Sequence, residues 1–161
     1  MAGITGFGAY IPKLRLLRES VVEANKWLNP GISSLAKGER SMSNWDEDPI
    51  TLAVEAARDC LSINERNLLE NIYFASTTHP FADRQNAAIV ATALSLNSDI
   101  GAMDVTGSQR AGTTALISAL TSINNNSNNE KLCIAADKRL SKPGSTQELT
   151  YGDGAAALKV G

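Results

Sequence analysis

The chain has 161 residues, 43% hydrophobic and 20% charged, with 15 Lys and Arg against 17 Asp and Glu for a net charge of −2. That length suits a single domain over residues 1–161, and the composition can bury a core rather than remain disordered. The near-balance of charge argues against a nucleic-acid module, which carries a basic excess. No apolar run approaches the roughly 20 residues of a membrane span, and the best candidate, 87–96, falls far short. Met1-Ala2-Gly3-Ile4 has no basic region leading into an apolar stretch, so no signal peptide is expected and the protein is read as cytoplasmic.

Two cysteines, Cys60 and Cys133, and a single histidine, His79, restrict the chemistry. Structural zinc needs closely spaced Cys and His pairs that the chain lacks, so no metal site is expected. A nucleophile activated by histidine within this chain has only His79 to use. Both cysteines sit among apolar neighbours and read as reduced, structural thiols.

In chain order, residues 3–11 read as a glycine-rich strand closed by Pro12, and 19–27 as a short helix ended by Pro30-Gly31. The polar stretch 33–45, centred on Lys37-Gly38-Glu39-Arg40, reads as a surface loop or a lid. Asp48 is a good N-cap, Pro49 suits the first helical position, and Ile50, Val54, Ala57 and Leu61 follow at helical spacing. Asn64 is a candidate cap for a further turn through Leu69. Residues 72–75 form an apolar strand and 86–96 a helix packed on several sides. A strand over 101–105, a helix of small residues over 109–123, an asparagine loop over 124–129 and a strand over 132–136 follow. Alternating strands and helices predict an α/β fold, with a largely parallel sheet covered by helices on both faces. The helix from Gln109 is expected to be the most buried, because its alanines and Gly112 permit close packing.

Ligands of open α/β sheets gather at the carboxyl ends of the strands. That places candidate chemistry on the loops 76–80, 106–110 and 137–140. Thr106-Gly107-Ser108-Gln109-Arg110 leads into a helix N-terminus, suited to an oxyanion, a thiolate or a carboxylate. The opening Gly3-Ile4-Thr5-Gly6-Phe7-Gly8-Ala9-Tyr10-Ile11-Pro12, with Lys37-Gly38-Glu39-Arg40 and Asn44-Trp45-Asp46-Glu47-Asp48, resembles archaeal-type 3-hydroxy-3-methylglutaryl-CoA synthases of the thiolase superfamily. Ala53-Val54-Glu55-Ala56-Ala57-Arg58, Ala111-Gly112-Thr113 and Gly152-Asp153-Gly154-Ala155-Ala156-Ala157 extend the resemblance, collinear over nearly the whole chain.

The resemblance implies the N-terminal half of a two-half enzyme, with a five-stranded mixed sheet and a coenzyme A thioester as substrate. No cofactor is implied in this chain. The family's catalytic His, and the Asn or His of its oxyanion site, belong to the second half, so a C-terminal-half chain is the implied partner unless the sequence is a fragment. A dimer through a strand near Met103-Asp104-Val105 and a zinc-ribbon/OB-fold acyl-CoA-binding protein are further implied partners.

The family's nucleophilic Cys stands two residues before Ala-Gly-Thr, where this chain has Gln109, whose amide cannot be acylated. Its general acid/base Glu falls at Thr77, which has no usable pKa near neutrality. Gln109 then reads either as a polar group holding a thioester, as in decarboxylating condensing enzymes, or as a relic in a silent subunit that stabilises an active partner. His79 reads as a catalytic candidate or a loop hydrogen bond beside Pro80. Arg110 can meet a CoA phosphate, a substrate carboxylate or an acidic partner residue. Asp137 matches a family Asp and is expected to hydrogen-bond within its loop, while Gly112 and Gly154 allow close approach near the substrate.

Overall fold

The computed structural model of the chain describes residues 2–123 and 130–161, and the asparagine loop expected at 124–129 lies outside them. Strands β1 (Ile4–Tyr10), β4 (Leu69–Ala75), β5 (Gly101–Val105), β6 (Glu130–Asp137) and β7 (Gly154–Val160) form a sheet in the order β1-β7-β6-β4-β5. β5, β4 and β6 pair in parallel, and β7 runs antiparallel to both β6 and β1. The sheet is therefore mixed, as expected, with β7 alone running against the others. Ile72, Phe74, Leu132 and Ile134 face one side and Tyr73, Ala75 and Cys133 the other, all buried. Burial on both faces is why these strands read as continuous apolar runs rather than alternating ones.

One face is covered by α2 (Pro49–Cys60) and α3 (Asn86–Ala93). Asp48 caps α2, its side chain accepting from Thr51 N at 2.8 Å while Thr51 Oγ1 accepts from Asp48 N at 2.8 Å. That reciprocal pair fixes the entry, and Pro49 at the first position adds a preset φ. Leu52, Ala53, Ala56 and Ala57 of α2 are fully buried against β1, β7 and β6. The contact is so close that a Cβ on Gly8 would lie 2.4 Å from Cys60 N and 2.6 Å from Ala56 O.

The other face carries α4 (Ala111–Thr121), which packs chiefly on β6, β4 and β5. The expectation that this helix is the most buried is not met. Only Ala111, Ala115 and Ala119 are buried and Ile117 is 54% exposed, whereas α2 is lined with inaccessible residues. The physical reason is coverage. Nothing in the described residues lies over the outer side of α4, nor over β1 and the start of β7 on this face, where Phe7 is 79% exposed and Ala9 and Ala156 are open.

A smaller layer joins β2 (Leu14–Leu17), α1 (Arg18–Asn25), β3 (Glu39–Met42) and α5 (Thr146–Thr150) around Val21, Val22, Ile32 and Leu149. The stretch expected as a loop or lid at 33–45 is thus partly structured: β3 pairs antiparallel with β2, after a 3-10 turn over Pro30–Leu35. Short strands without strict alternation gave no period-2 signal. The turn before β4 is capped by Ser62 with Glu65, not by Asn64. At the opposite end of the sheet from the candidate loops, buried Lys159 pairs with Glu65 and with Glu130 at 3.1 Å, and buried Lys131 pairs with Glu70 at 3.2 Å. Burial opposes the Lys159 ammonium, but its hydrogen bonds to the Glu65 and Glu130 carboxylates outweigh it and hold its pKa above the usual lysine value.

Two outcomes follow. Gly8→Ala forces the end of α2 off the sheet and should cost about 1–3 kcal/mol in urea denaturation, the usual range for overpacking. The Lys159 hydrogen bond, with those from Ser62, lowers the Glu65 pKa to about 2. Its contribution is present above the ordinary carboxylate pKa and is lost as pH falls towards about 2. Glu65→Gln should accordingly show a shallower acid-side loss of stability than wild type over that window.

Candidate functional site

The parallel register sets Ala75 of β4 opposite Val105 of β5 on one side and Ala135 of β6 on the other. β4 and β5 therefore end at one level, β6 runs on two residues to Asp137, and the loops bearing Thr77 and Gln109 leave this edge of the sheet beside it. Gly154, at the start of β7, pairs with Asp137 and joins the same end. Asp137 organises this edge. Its Oδ1 accepts from Thr77 N at 2.7 Å, Ser76 Oγ at 3.0 Å, Thr77 Oγ1 at 3.0 Å and Thr78 Oγ1 at 3.1 Å. The loop-bonding role expected for Asp137 is what the geometry displays, and Thr77 spends its hydroxyl on it.

The neighbouring Lys138 was not singled out in the sequence. Its Nζ donates to Asn44 O at 3.1 Å and Glu47 O at 2.6 Å, tying the turn before α2 to the end of β6. Glu47 in turn accepts from Tyr10 Oη and from Asn44 N at 2.7 Å. The Tyr10 hydrogen bond and that amide hold the Glu47 carboxyl below its ordinary pKa, and the same bond raises the tyrosine. On the far side, Ser41 Oγ donates to Asp153 O at 2.6 Å and Ser43 N to Asp153 Oδ2 at 2.8 Å, which anchors β3 beside Gly154.

The turn before α4 is built around Gly107, whose φ of +81° favours glycine. Arg110 N donates to Ser108 Oγ at 3.1 Å and Ala111 N to Ser108 O at 3.0 Å. Gln109 and Arg110 thus stand in a turn ahead of the helix rather than inside it, and both are exposed. Neither side chain has a hydrogen-bond partner among the described residues. The amides of Gly112 and Thr113 likewise have no backbone partner among them, the usual state of a helix N-terminus open to a ligand oxygen. Gly112 lets α4 approach β6, since a Cβ there would lie 3.4 Å from Ala135 Cβ.

His79 packs edge-on against Phe74 with ring centroids 4.8 Å apart, and its Nε2 is buried without a partner among the described residues. The geometry gives this nitrogen no hydrogen bond of the kind expected beside Pro80. The thiols are free and lie away from the candidate loops, Cys60 at the end of α2 and Cys133 within β6. Burial raises both pKa values, that of Cys133 to about 12. No group of three or more metal-binding side chains occurs among the described residues, and no helix of the model is long and apolar enough to cross a membrane.

The fold is thiolase-like. It superposes with TM-score 0.86 and 20% identity on a solved HMG-CoA synthase complexed with CoA, covering 99% of this chain and 41% of that one. It superposes with TM-score 0.82 and 17% identity on a priming β-ketosynthase of the R1128 polyketide pathway, covering 50% of that chain. The sequence is 36% identical to hydroxymethylglutaryl-CoA synthase of Methanocaldococcus jannaschii over 167 residues, all of this chain and 48% of that protein. No family model matches the sequence. The chain is similar over its whole length to hydroxymethylglutaryl-CoA synthases, has a thiolase-like fold, and spans about half the length of the curated relatives it matches.

Alkylation checks the thiol environments. At pH 8, iodoacetamide should modify Cys60 slowly and Cys133 only on unfolding, as the deeply raised pKa of a buried thiol requires. Rapid labelling of Cys133 in the folded protein would contradict the burial described.

Proposed function

We propose that the chain is the N-terminal half of an acyl-CoA enzyme that makes or breaks a carbon–carbon bond next to a thioester, together with a C-terminal thiolase-like half. What supports this reading is that the loops bearing Thr77 and Gln109 leave the same edge of the sheet as Asp137, with Gln109 where the resembled enzymes carry their Cys. An amide is not a competent nucleophile, so the site works without an acylated side chain. The thioester is held non-covalently, its carbonyl oxygen facing the amides of Gly112 and Thr113 and the Gln109 side chain. Those donors stabilise an enolate as charge develops on that oxygen. Decarboxylation and retro-aldol cleavage both suit such a site. In the first, the bond to the carboxylate breaks, its electron pair passes into the thioester enolate, CO2 departs and the enolate takes a proton. Arg110 meets a CoA phosphate or a substrate carboxylate at the rim, and Gly154 keeps the floor of the site open. His79 is the only imidazole this half brings to the site.

The second half covers the bare face of the sheet. A largely apolar cavity of about 250 Å³ between α4 and the β6–β7 strands, lined by Gly112, Leu116, Cys133, Ala156 and Leu158, opens on that face. Exposed apolar area of this kind marks an interface. The free edge of β5, where Met103 is 50% exposed, is the proposed dimer contact. A zinc-ribbon/OB-fold acyl-CoA-binding protein is a further proposed partner, and the assembly is placed in the cytoplasm. The loss of both Cys and Glu, at Gln109 and Thr77, favours a second reading, in which the chain is a silent subunit stabilising an active thiolase-like partner.

Turnover and intact mass of the assembled protein with radiolabelled acyl-CoA separate these readings. Wild type should turn over acyl-CoA without retaining label on this chain, and Gln109→Ala should lose about 2–4 kcal/mol of transition-state stabilisation, as for removal of an oxyanion donor. Stable label on the wild-type chain would overturn the non-covalent mechanism. Unchanged turnover in Gln109→Ala would favour the silent subunit.

A further inference from the structure

The loop that carries Thr77 and His79 runs from the end of β4 to the start of α3, and its two ends are held by different strands. Asp137 of β6 takes the near end through Ser76, Thr77 and Thr78. At the far end α3 lacks a cap of its own, since Gln85 at the capping position makes no side-chain cap bond. Asp104 of β5 supplies one across the fold. Its Oδ2 accepts from Asn86 N at 2.7 Å and Asn86 Nδ2 at 2.9 Å, and its Oδ1 from Ala87 N at 2.6 Å. A carboxylate facing the first amides of a helix meets both unpaired donors and the positive end of the dipole. Asn86 is 1% exposed and relays this anchor into the loop. Its Oδ1 accepts from Phe81 N at 3.2 Å, and its Nδ2 also donates to Phe81 O at 2.9 Å and Arg84 O at 3.3 Å.

We infer that Asp104, acting through the buried amide of Asn86, is a positioning residue that fixes the loop bearing Thr77 and His79 against the turn bearing Gln109. Asp104 lies on β5, the strand that delivers Gln109, so one strand sets both the Gln109 turn and the far end of the facing loop. The two strands flanking β4 each send one carboxylate to one end of the same loop. Buried polar groups with every site satisfied specify one arrangement, and partial satisfaction loosens it. The functional weight of this lock rests on Thr77 and His79 belonging to the proposed site, while the lock itself is read without any measurement of activity.

The test uses the full-length protein, with the His79 imidazole resonance assigned by its loss in His79→Gln. In Asp104→Asn an amide donor faces donors that had a carboxylate, and the anchor fails. Amides 79–87 should exchange at least roughly tenfold faster, the effect of losing charge-assisted hydrogen bonds. The His79 resonance should shift while amides of α2 and β6 keep their protection. Asn86→Ser leaves the two backbone amides on Asp104 but removes the ties to Phe81 and Arg84. It should shift His79 and speed exchange over 79–85, and it decides the matter if Asp104→Asn does not fold. A general loss of stability would speed exchange throughout without moving His79 in the folded state. A folded Asn86→Ser protein with wild-type His79 resonance and wild-type loop exchange would overturn the inference. Loss of activity with an intact lock would count against the proposed function alone.

Discussion

The level alignment of Ala75, Val105 and Ala135 is the constraint on which the candidate site depends. β4 and β6, buried on both faces, cannot slip by one residue without exchanging core positions for their opposites. Ile72, Phe74, Leu132 and Ile134 on one face, against Tyr73, Ala75 and Cys133 on the other, therefore fix the register by packing alone. Everything at the carboxyl edge inherits that register. Asp137 can receive Ser76, Thr77 and Thr78 because β6 runs two residues past the level at which β4 ends. The Gln109 turn stands beside them because β5 ends there too.

A second constraint is coverage. α2 and α3 close one face of the sheet, whereas α4 closes only the side of the other face nearest β4, β5 and β6. Small residues let α4 sit close to the strands, as the 3.4 Å approach at Gly112 requires, and leave its outer flank, β1 and the start of β7 bare on this face. The helix with the uncovered flank is the one whose N-terminus follows Gln109. In the proposed assembly, the partner half that buries Phe7, Ile117 and the apolar cavity also closes the substrate site. Assembly and chemistry are then one event, and excluding water strengthens the donors at the helix start.

Much of the fold was legible in the sequence, because long buried strands and a capped helix leave strong local signals. Asp48-Pro49 followed by apolar residues at helical spacing located the start of α2 to the residue, and the apolar runs located β4, β5 and β6. The strands β2 and β3 were not legible, since four-residue strands on a polar surface carry too few alternations. The burial of α4 was misjudged for a different reason: small residues signal close packing, but not whether this chain supplies the neighbour. The residues proposed for the site were found through the resemblance, and Asp137 through its place after a strand. The side chains that hold them, Lys138, Asp104 and Asn86, were not visible as such. The partners of Lys138 and Asp104 lie 17 to 94 positions away, and no local pattern encodes such distances.

The central claim is that this half presents a thioester to donors at the start of α4, with Gln109 in place of a nucleophile. A crystal structure of the assembled protein with a non-hydrolysable acyl-CoA analogue tests it most directly. The account predicts an unbroken ligand whose carbonyl oxygen lies within hydrogen-bonding distance of the Gly112 or Thr113 amide or of Gln109 Nε2. A ligand bound away from the ends of β4, β5 and β6, with the Gln109 side chain buried against a partner chain instead, would contradict it.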